Sequence, residues 1–273
     1  MSITIPLYQV DAFATEVFRG NPAAVCPLDA WLGEDVMQAI AAENNLSETA
    51  FVVADPSGEA DYGLRWFTPK AEIELCGHAT LATAWVLFNA LSVDKDVVTF
   101  STQSGILSVE RCADGELVMD FPLIKTMPAP HPDDLSRALH GAKALEYLRA
   151  KNDMRVAVLG SAQEVRDLKP DFHTVYTLGQ LGLIVTAPGG GGEDADVDFV
   201  SRFFAPQVGI SEDPVTGSAH TVLAPYWARR LKKDTLRARQ VSSRGGDVGC
   251  EIVGPRVRLS GRAVLYMKGE IRL

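Results

Sequence analysis

The sequence predicts an α+β protein of two pseudo-symmetric domains, each a curled, mostly antiparallel β-sheet or barrel around a central α-helix. Three observations carry this expectation. Most of the chain reads as short strands with turn punctuation. One helical segment is apolar or small on every side. A five-residue pattern recurs half a chain further on, followed by two matching features in the same order.

The strand segments are 49–53, 64–67, 97–101, 117–121, 156–159, 182–186, 251–253, 257–259 and 262–267. Each is rich in β-branched or aromatic residues and bounded by turn formers. Ahead of them, Glu34 to Asn44 carries Val36, Met37, Ile40 and Ala41 on one helical face, as an amphipathic surface helix does. His78 to Leu91 has no polar face, so it must be enclosed on all sides, and a strand-rich chain encloses a helix by curling a sheet around it. Thr216 to Lys232 reads as a second enclosed helix, with Pro225 expected to kink or break it and a basic last turn that suits the helix dipole.

The repeat links the two halves. Arg65-Trp66-Phe67-Thr68-Pro69 returns as Arg202-Phe203-Phe204-Ala205-Pro206, an offset of 202 − 65 = 137 residues. Seven residues beyond the prolines stand Cys76 and Asp213, and then Gly77-His78-Ala79 and Gly217-Ser218-Ala219 open the enclosed helices. The expected domains are 1–126 and 127–273, the division falling in the proline-rich stretch 125–132. The four glycines near Pro188 suit a mobile hairpin tip rather than a phosphate cradle, because no strand-to-helix pattern with Lys-Ser/Thr follows them.

With 26 basic against 35 acidic side chains in 273 residues and a net charge of −9, no basic face is available for nucleic acid or anionic lipid. The N-terminus has no leader pattern and no apolar run reaches membrane-spanning length, so the cytoplasm is expected. Cys26, Cys76, Cys112 and Cys250 form no CxxC pair, so neither a zinc ribbon nor a redox dithiol is encoded. A metal site from Cys76, His78, Asp213 and His220 matches no usual ligand spacing, and no metal or other cofactor is expected.

The chemistry is expected where the two central helices begin. A helix start offers unpaired N–H groups and partial positive charge, and Gly77 and Gly217 let a ligand approach closely, so two such starts facing one cleft would bind a carboxylate. Asp213 with Thr216 and Ser218 puts a carboxylate and two hydroxyls beside the second helix, a set that serves capping and catalysis equally well. Cys76 and His78 flank Gly77 in the first half. Glu48, opening a strand whose two faces are both apolar, is the carboxylate placed beside buried surface in either orientation, as suits a group that takes and returns a proton.

These segments resemble a known family. Asp11-Ala12-Phe13 with Gly20-Asn21-Pro22-Ala23-Ala24-Val25, then Asn45 to Phe51, Phe67-Thr68-Pro69, Glu72 to Thr80 and Glu212 to Ala219 are similar to motifs of the PhzF family of phenazine-biosynthesis-like isomerases, in order along nearly the whole chain. The resemblance implies the diaminopimelate epimerase fold, with the site between the domains and with the last strand, 262–273, returning to the first domain. It implies proton transfer without cofactor or metal on a small carboxylate-bearing substrate such as a dihydro-hydroxyanthranilate. In that scheme Glu48 is the general acid and base, His78 and Asp213 are catalytic, Cys76 and Ser218 contact substrate, and amides near Gly77 and Gly217 hold the carboxylate. A homodimer is expected from the same resemblance.

One departure is Cys76. The related epimerases and racemases use a cysteine on each side of the substrate, whereas this chain has Asp213 near the second place. An epimerase using Cys76 with Asp213 or Glu48 is therefore the alternative, supported by the expectation that a thiol at a helix N-terminus ionises readily. A non-catalytic protein that binds small acids or a partner is the third reading.

Overall fold

The computed structural model describes residues 3–178 and 181–273. The chain divides into two compact units, Met1–Asp120 with Ser260–Leu273, and Phe121–Leu259.

The first unit contains β1 (Thr4–Ala12), β2 (Asn21–Pro27), α1 (Glu34–Asn44), β3 (Glu48–Ala54), β4 (Tyr62–Phe67), β5 (Glu72–Ile73), α2 (Gly77–Trp85), β6 (Val97–Thr102), β7 (Gly105–Arg111) and the start of β8 (Leu117–Pro122). The second contains β9 (Thr126–Pro128), α3 (Leu135–Ala138), β10 (Glu146–Ala150), β11 (Met154–Val158), α4 (Ala162–Asp167), α5 (Phe172–Thr177), β12 (Gly182–Pro188), β13 (Phe199–Ala205), β14 (Ile210–Asp213), α6 (Gly217–Leu231), β15 (Thr235–Gln240), β16 (Gly246–Val253) and most of β17 (Arg256–Gly261). The last strand, β18 (Ala263–Arg272), pairs antiparallel with β1 in the first unit.

Strand pairing repeats between the units. In the first, β1 and β2 pair antiparallel, β2 and β3 parallel, β3 and β4 antiparallel, and the far edge of β4 takes β5 antiparallel and β6 parallel. In the second, β10 and β11, β11 and β12, β12 and β13, then β14 and β15 on the edge of β13, repeat that series of senses. Even the paired arginines correspond: Arg65 makes a two-pronged bridge to Glu72 at 2.7 and 2.6 Å, and Arg202 makes one to Glu212 at 2.7 and 2.8 Å. Each guanidinium also lies over the phenylalanine two residues on, Phe67 at 5.3 Å and Phe204 at 4.9 Å.

The register corrects one detail of the repeat. Trp66 faces Ile73 across its ladder and Phe203 faces Asp213, so Asp213 is the counterpart of Ile73 rather than of Cys76. Three additional residues cause the shift: Phe67 to Glu72 spans 72 − 67 = 5 positions and Phe204 to Glu212 spans 212 − 204 = 8. The longer turn holds the short 3-10 segment Pro206–Val208, closed by Gly209 at φ 87°. The structural counterpart of Cys76 is Thr216, each the residue immediately before its central helix.

Helix α2 is enclosed as its composition requires. It packs against β1, β2, β3, β7 and β18, strands drawn from both ends of the sheet, so the sheet curls around it. Its buried threonines turn their hydroxyls back on the helix, Thr80 to the Cys76 carbonyl at 2.6 Å and Thr83 to the Ala79 carbonyl at 2.7 Å, which removes the cost of burying them. The expected single helix to Leu91 is instead α-helical only to Trp85, after which Val86–Ala90 widens into a π turn. In α1, Met37, Ile40 and Ala41 pack with Ile5, Cys26, Phe51 and Phe67, and Asn45 ends the helix at φ 50°.

Three further expectations are corrected. Helix α6 runs through Pro225 without a break. The carbonyl of Thr221, deprived of its helical partner by the proline, accepts the backbone N–H of Ile124 at 3.0 Å instead. The proline-rich stretch is not a free linker: 126–128 is strand β9, paired with β10, and the division between the units falls earlier, after Asp120. The glycine-rich turn after β12 is pinned, because Asp194, 2% exposed, accepts from Arg166 at 2.8 Å and meets Arg239 at 3.4 Å.

Candidate active site

Strand β3 and helix α2 bring three of the expected residues together in the first unit. Glu48, Ala50 and Val52 share one face of β3, and Phe51 on the other face packs against α1. The Glu48 side chain is thereby turned away from α1 and meets the first turn of α2. Its Oε2 lies 2.9 Å from His78 Nε2, a close ion contact that is off the line of a straight hydrogen bond. His78 Nδ1, across the ring, lies 3.5 Å from Cys76 Sγ and 3.1 Å from Asn21 Nδ2. Glu48 is 7% exposed, His78 4%, Cys76 6% and Asn21 fully buried. Gly77, between Cys76 and His78, opens α2 and is half-buried.

Burial pushes the Cys76 thiol up to about 11, and the neighbouring Glu48 charge adds to the effect. This corrects the expectation of a readily ionised thiol. A helix N-terminus stabilises a thiolate only modestly, whereas here the sulfur is shut away from water beside a carboxylate. For His78, burial works against the imidazolium, but the charges and hydrogen bonds of Cys76 and Glu48 outweigh it and hold the ring well above its ordinary range. A thiol raised to about 11 is protonated near neutrality, so Glu48 is the partner that supplies this effect.

The ligating atoms of Glu48, Cys76 and His78 all fall within 4.8 Å of one another. His78 offers Nε2 to the carboxylate and Nδ1 to the thiol, on opposite edges of its ring. The two partners therefore contact the ring at different nitrogens.

The second unit places Asp213, Gly217 and Ser218 at the start of α6. Asp213, 9% exposed, accepts the Thr216 hydroxyl at 2.5 Å, and Thr216, so engaged, makes no side-chain cap to the helix. Ser218 and Gly217 are its first-turn residues. Gln240, fully buried, organises this group: its Nε2 donates to the Asp213 carbonyl at 2.6 Å and its Oε1 accepts the Thr216 N–H at 2.9 Å. His220 is buried one turn on, with Nδ1–H donated to the Thr216 carbonyl at 2.8 Å.

The second unit has no carboxylate in the place of Glu48. Glu48 is the first β3 residue to pair with β2 and Gly182 the first β12 residue to pair with β11, so Gly182 is its counterpart. A Cβ on Gly182 would stand 2.3 Å from the ring of Phe203. The aromatic ring therefore occupies the volume a side chain would need, and the duplicated fold carries this buried carboxylate in one unit alone.

Reasoning from sequence did not assign a role to Asn21 or Gln240. Asn21 lies within a motif that was noticed, Gly20-Asn21-Pro22, whereas an isolated glutamine ending a strand carries no signal.

A family model described as phenazine biosynthesis-like protein matches residues 10–269, and the chain belongs to that family. It is similar to an uncharacterized isomerase of Pseudomonas aeruginosa, 52% identical over 273 residues and covering all of both chains. Its structure resembles the crystal structure of a PhzF-family phenazine biosynthesis protein from Enterococcus faecalis, with TM-score 0.93, 49% identity, and coverage of 99% of this chain and 100% of that one. A predicted epimerase from Pseudomonas aeruginosa shares the fold alone, with TM-score 0.74 at 20% identity over 98% of this chain and 99% of that one. The α+β architecture expected from the sequence, that of the PhzF and diaminopimelate epimerase-like proteins, is the one observed. No helix among the described residues is long and apolar enough to cross a membrane.

Proposed function

We propose that this protein is an isomerase that moves a proton on a small carboxylate-bearing substrate, with Glu48 as the group that takes the proton and gives it back. The observation that carries the reading is the buried Glu48 carboxylate held 2.9 Å from His78. A carboxylate in such a place keeps its proton-transfer function away from bulk water, and a fixed histidine beside it stabilises the ionised form that starts the cycle. Glu48 would accept a proton from a carbon activated by the substrate's own unsaturation, and return it at a second carbon. The amides at the start of α2 are suited to hold the substrate carboxylate. No step in this sequence calls on a cofactor. A dihydro-hydroxyanthranilate-like ring is the substrate class suggested by the family resemblance. Asp213, Gly217 and Ser218 retain the part that resemblance implies, in the second unit.

The epimerase alternative keeps one favourable observation, the placing of Cys76 Sγ 3.5 Å from His78. A thiol raised to about 11 suits a proton donor better than a base, so Cys76 takes second place to Glu48. The proposal is tested by incubating the protein in heavy water with a panel of unsaturated cyclic acids and amino acids, reading isomer formation and deuterium at carbon by NMR. Turnover of an unsaturated acid supports it. Turnover confined to α-epimerisation of amino acids favours the alternative, and inertness toward every acid that measurably binds favours a binding protein.

A further inference from the structure

We propose that Asn21 is a positioning residue that governs whether His78 carries a proton at Nδ1, the ring edge turned away from Glu48. The inference deepens the proposed function and rests on that reading for its catalytic meaning.

Asn21 is the first residue of β2, fully buried, and faces Ala12 across the β1 ladder. The turn delivering it depends on Gly20 at φ 64°, where a Cβ would strike the Ala12 carbonyl at 2.1 Å. Backbone geometry on both sides therefore fixes where the amide stands, and its Nδ2 reaches His78 Nδ1 at 3.1 Å. An amide N–H can donate only to a ring nitrogen that bears no proton. With Nδ2 turned to the ring, the amide suits an imidazole that is protonated at Nε2 alone, toward Glu48. A primary amide has a second face: a rotation about its terminal torsion presents the carbonyl oxygen, which accepts from Nδ1–H.

Asn21 can therefore satisfy His78 in either charge state, which neither an apolar residue nor a fixed carboxylate would do. The groups facing the ring are Glu48 at Nε2 and Cys76 and Asn21 at Nδ1. Glu48 favours a charged ring, and the 3.5 Å thiol contact is a weak hydrogen bond, so Asn21 is the polar partner that decides the second proton. During turnover this matters because His78 bears a proton at Nε2 both as the charged ring and as the neutral tautomer that Asn21 Nδ2 favours, so it cannot drain the proton that Glu48 has taken from substrate. The proton then stays on Glu48 for return to the same molecule.

The test uses the full-length protein labelled with 15N-histidine, with the His78 signals assigned by comparison with a His78→Gln variant, and needs no substrate. Asn21→Asp places an acceptor-only carboxylate on Nδ1 and is expected to raise the pH at which His78 loses its second proton by one unit or more. Asn21→Leu removes both faces of the amide; the loss falls more heavily on the charged ring, whose Nδ1–H is left without an oxygen acceptor, so the value is expected to fall by a similar amount. Folding is checked by circular dichroism and melting; if the leucine variant does not fold, the near-isosteric aspartate variant decides. A His78 titration that stays within about 0.3 units of wild type in the folded variants overturns the proposal. Should the titration move as expected while Glu48→Gln retains full isomerase activity, the proposed function fails and the positioning role of Asn21 stands.

Discussion

Replacing Glu48 by Gln should make Cys76 easier to ionise, by an amount that follows from the site geometry. The carboxylate and the sulfur lie within 4.8 Å of each other. At an effective dielectric constant of about 20, two unit charges at that separation repel by about 3.5 kcal/mol, or about 2.5 pH units. The sign is fixed: an anionic neighbour disfavours a thiolate, so its removal lowers the thiol value. Part of the gain is lost because His78, without Glu48, no longer holds its positive charge as firmly. Burial, the larger cause of the raised value, is unchanged. The expected result is a fall from about 11 to about 9 to 10. In the wild type at pH 7 only about one Cys76 in ten thousand is a thiolate, and the variant should hold roughly ten to a hundred times more. Iodoacetamide alkylation followed at the Cys76 peptide across a pH series measures this directly, with Cys26 and Cys250, both raised by burial, as internal controls. A Cys76 profile that is unmoved or shifted to higher pH in Glu48→Gln would refute the electrostatic coupling on which this site description depends.

Two other outcomes test the second unit. Burial pushes His220 down to about 4, against an ordinary value of 6.5, so the folded state binds this proton more weakly than the unfolded chain. Its contribution is full above pH 6.5 and about 3 kcal/mol of stability is lost as the pH falls to 4; melting curves over that window should fall more steeply for wild type than for His220→Gln, and parallel curves would contradict the assignment. Gly182→Ala drives a methyl group to 2.3 Å from the Phe203 ring and should cost about 1–3 kcal/mol. Adding Phe203→Leu should recover part of that loss in a thermal melt, and an alanine variant as stable as wild type would show that Phe203 does not fill the space opposite Glu48's counterpart.

Much of the fold was legible because the strongest signals were physical necessities. A helix with no polar face had to be enclosed, and α2 is. The two-faced apolar pattern after Glu48 required a strand buried on both sides, and β3 is one. What the sequence concealed depended on contacts far along the chain. The bond from Ile124 that carries α6 past Pro225 cannot be read from the helix itself. The three-residue shift that pairs Thr216 with Cys76 is hidden by an unbroken motif, Phe-x-Pro, ahead of it. In the site, Glu48, Cys76 and His78 were identified by type and place, but the sign of the thiol's shift was not, since the dipole at a helix start is visible in sequence and the burial around it is not. The role of Asn21 is hidden for a related reason: its partner lies 57 residues away.

The role proposed for Glu48, carrying the proton, is tested most directly by the exchange of carbon-bound hydrogen in heavy water by wild type, Glu48→Gln and Cys76→Ser, on whichever acid the wild type turns over. Loss of the carboxylate should cut exchange by about a hundredfold or more, while Cys76→Ser keeps most of it. Exchange that survives in Glu48→Gln and vanishes in Cys76→Ser would give the chemistry to the thiol and contradict the account.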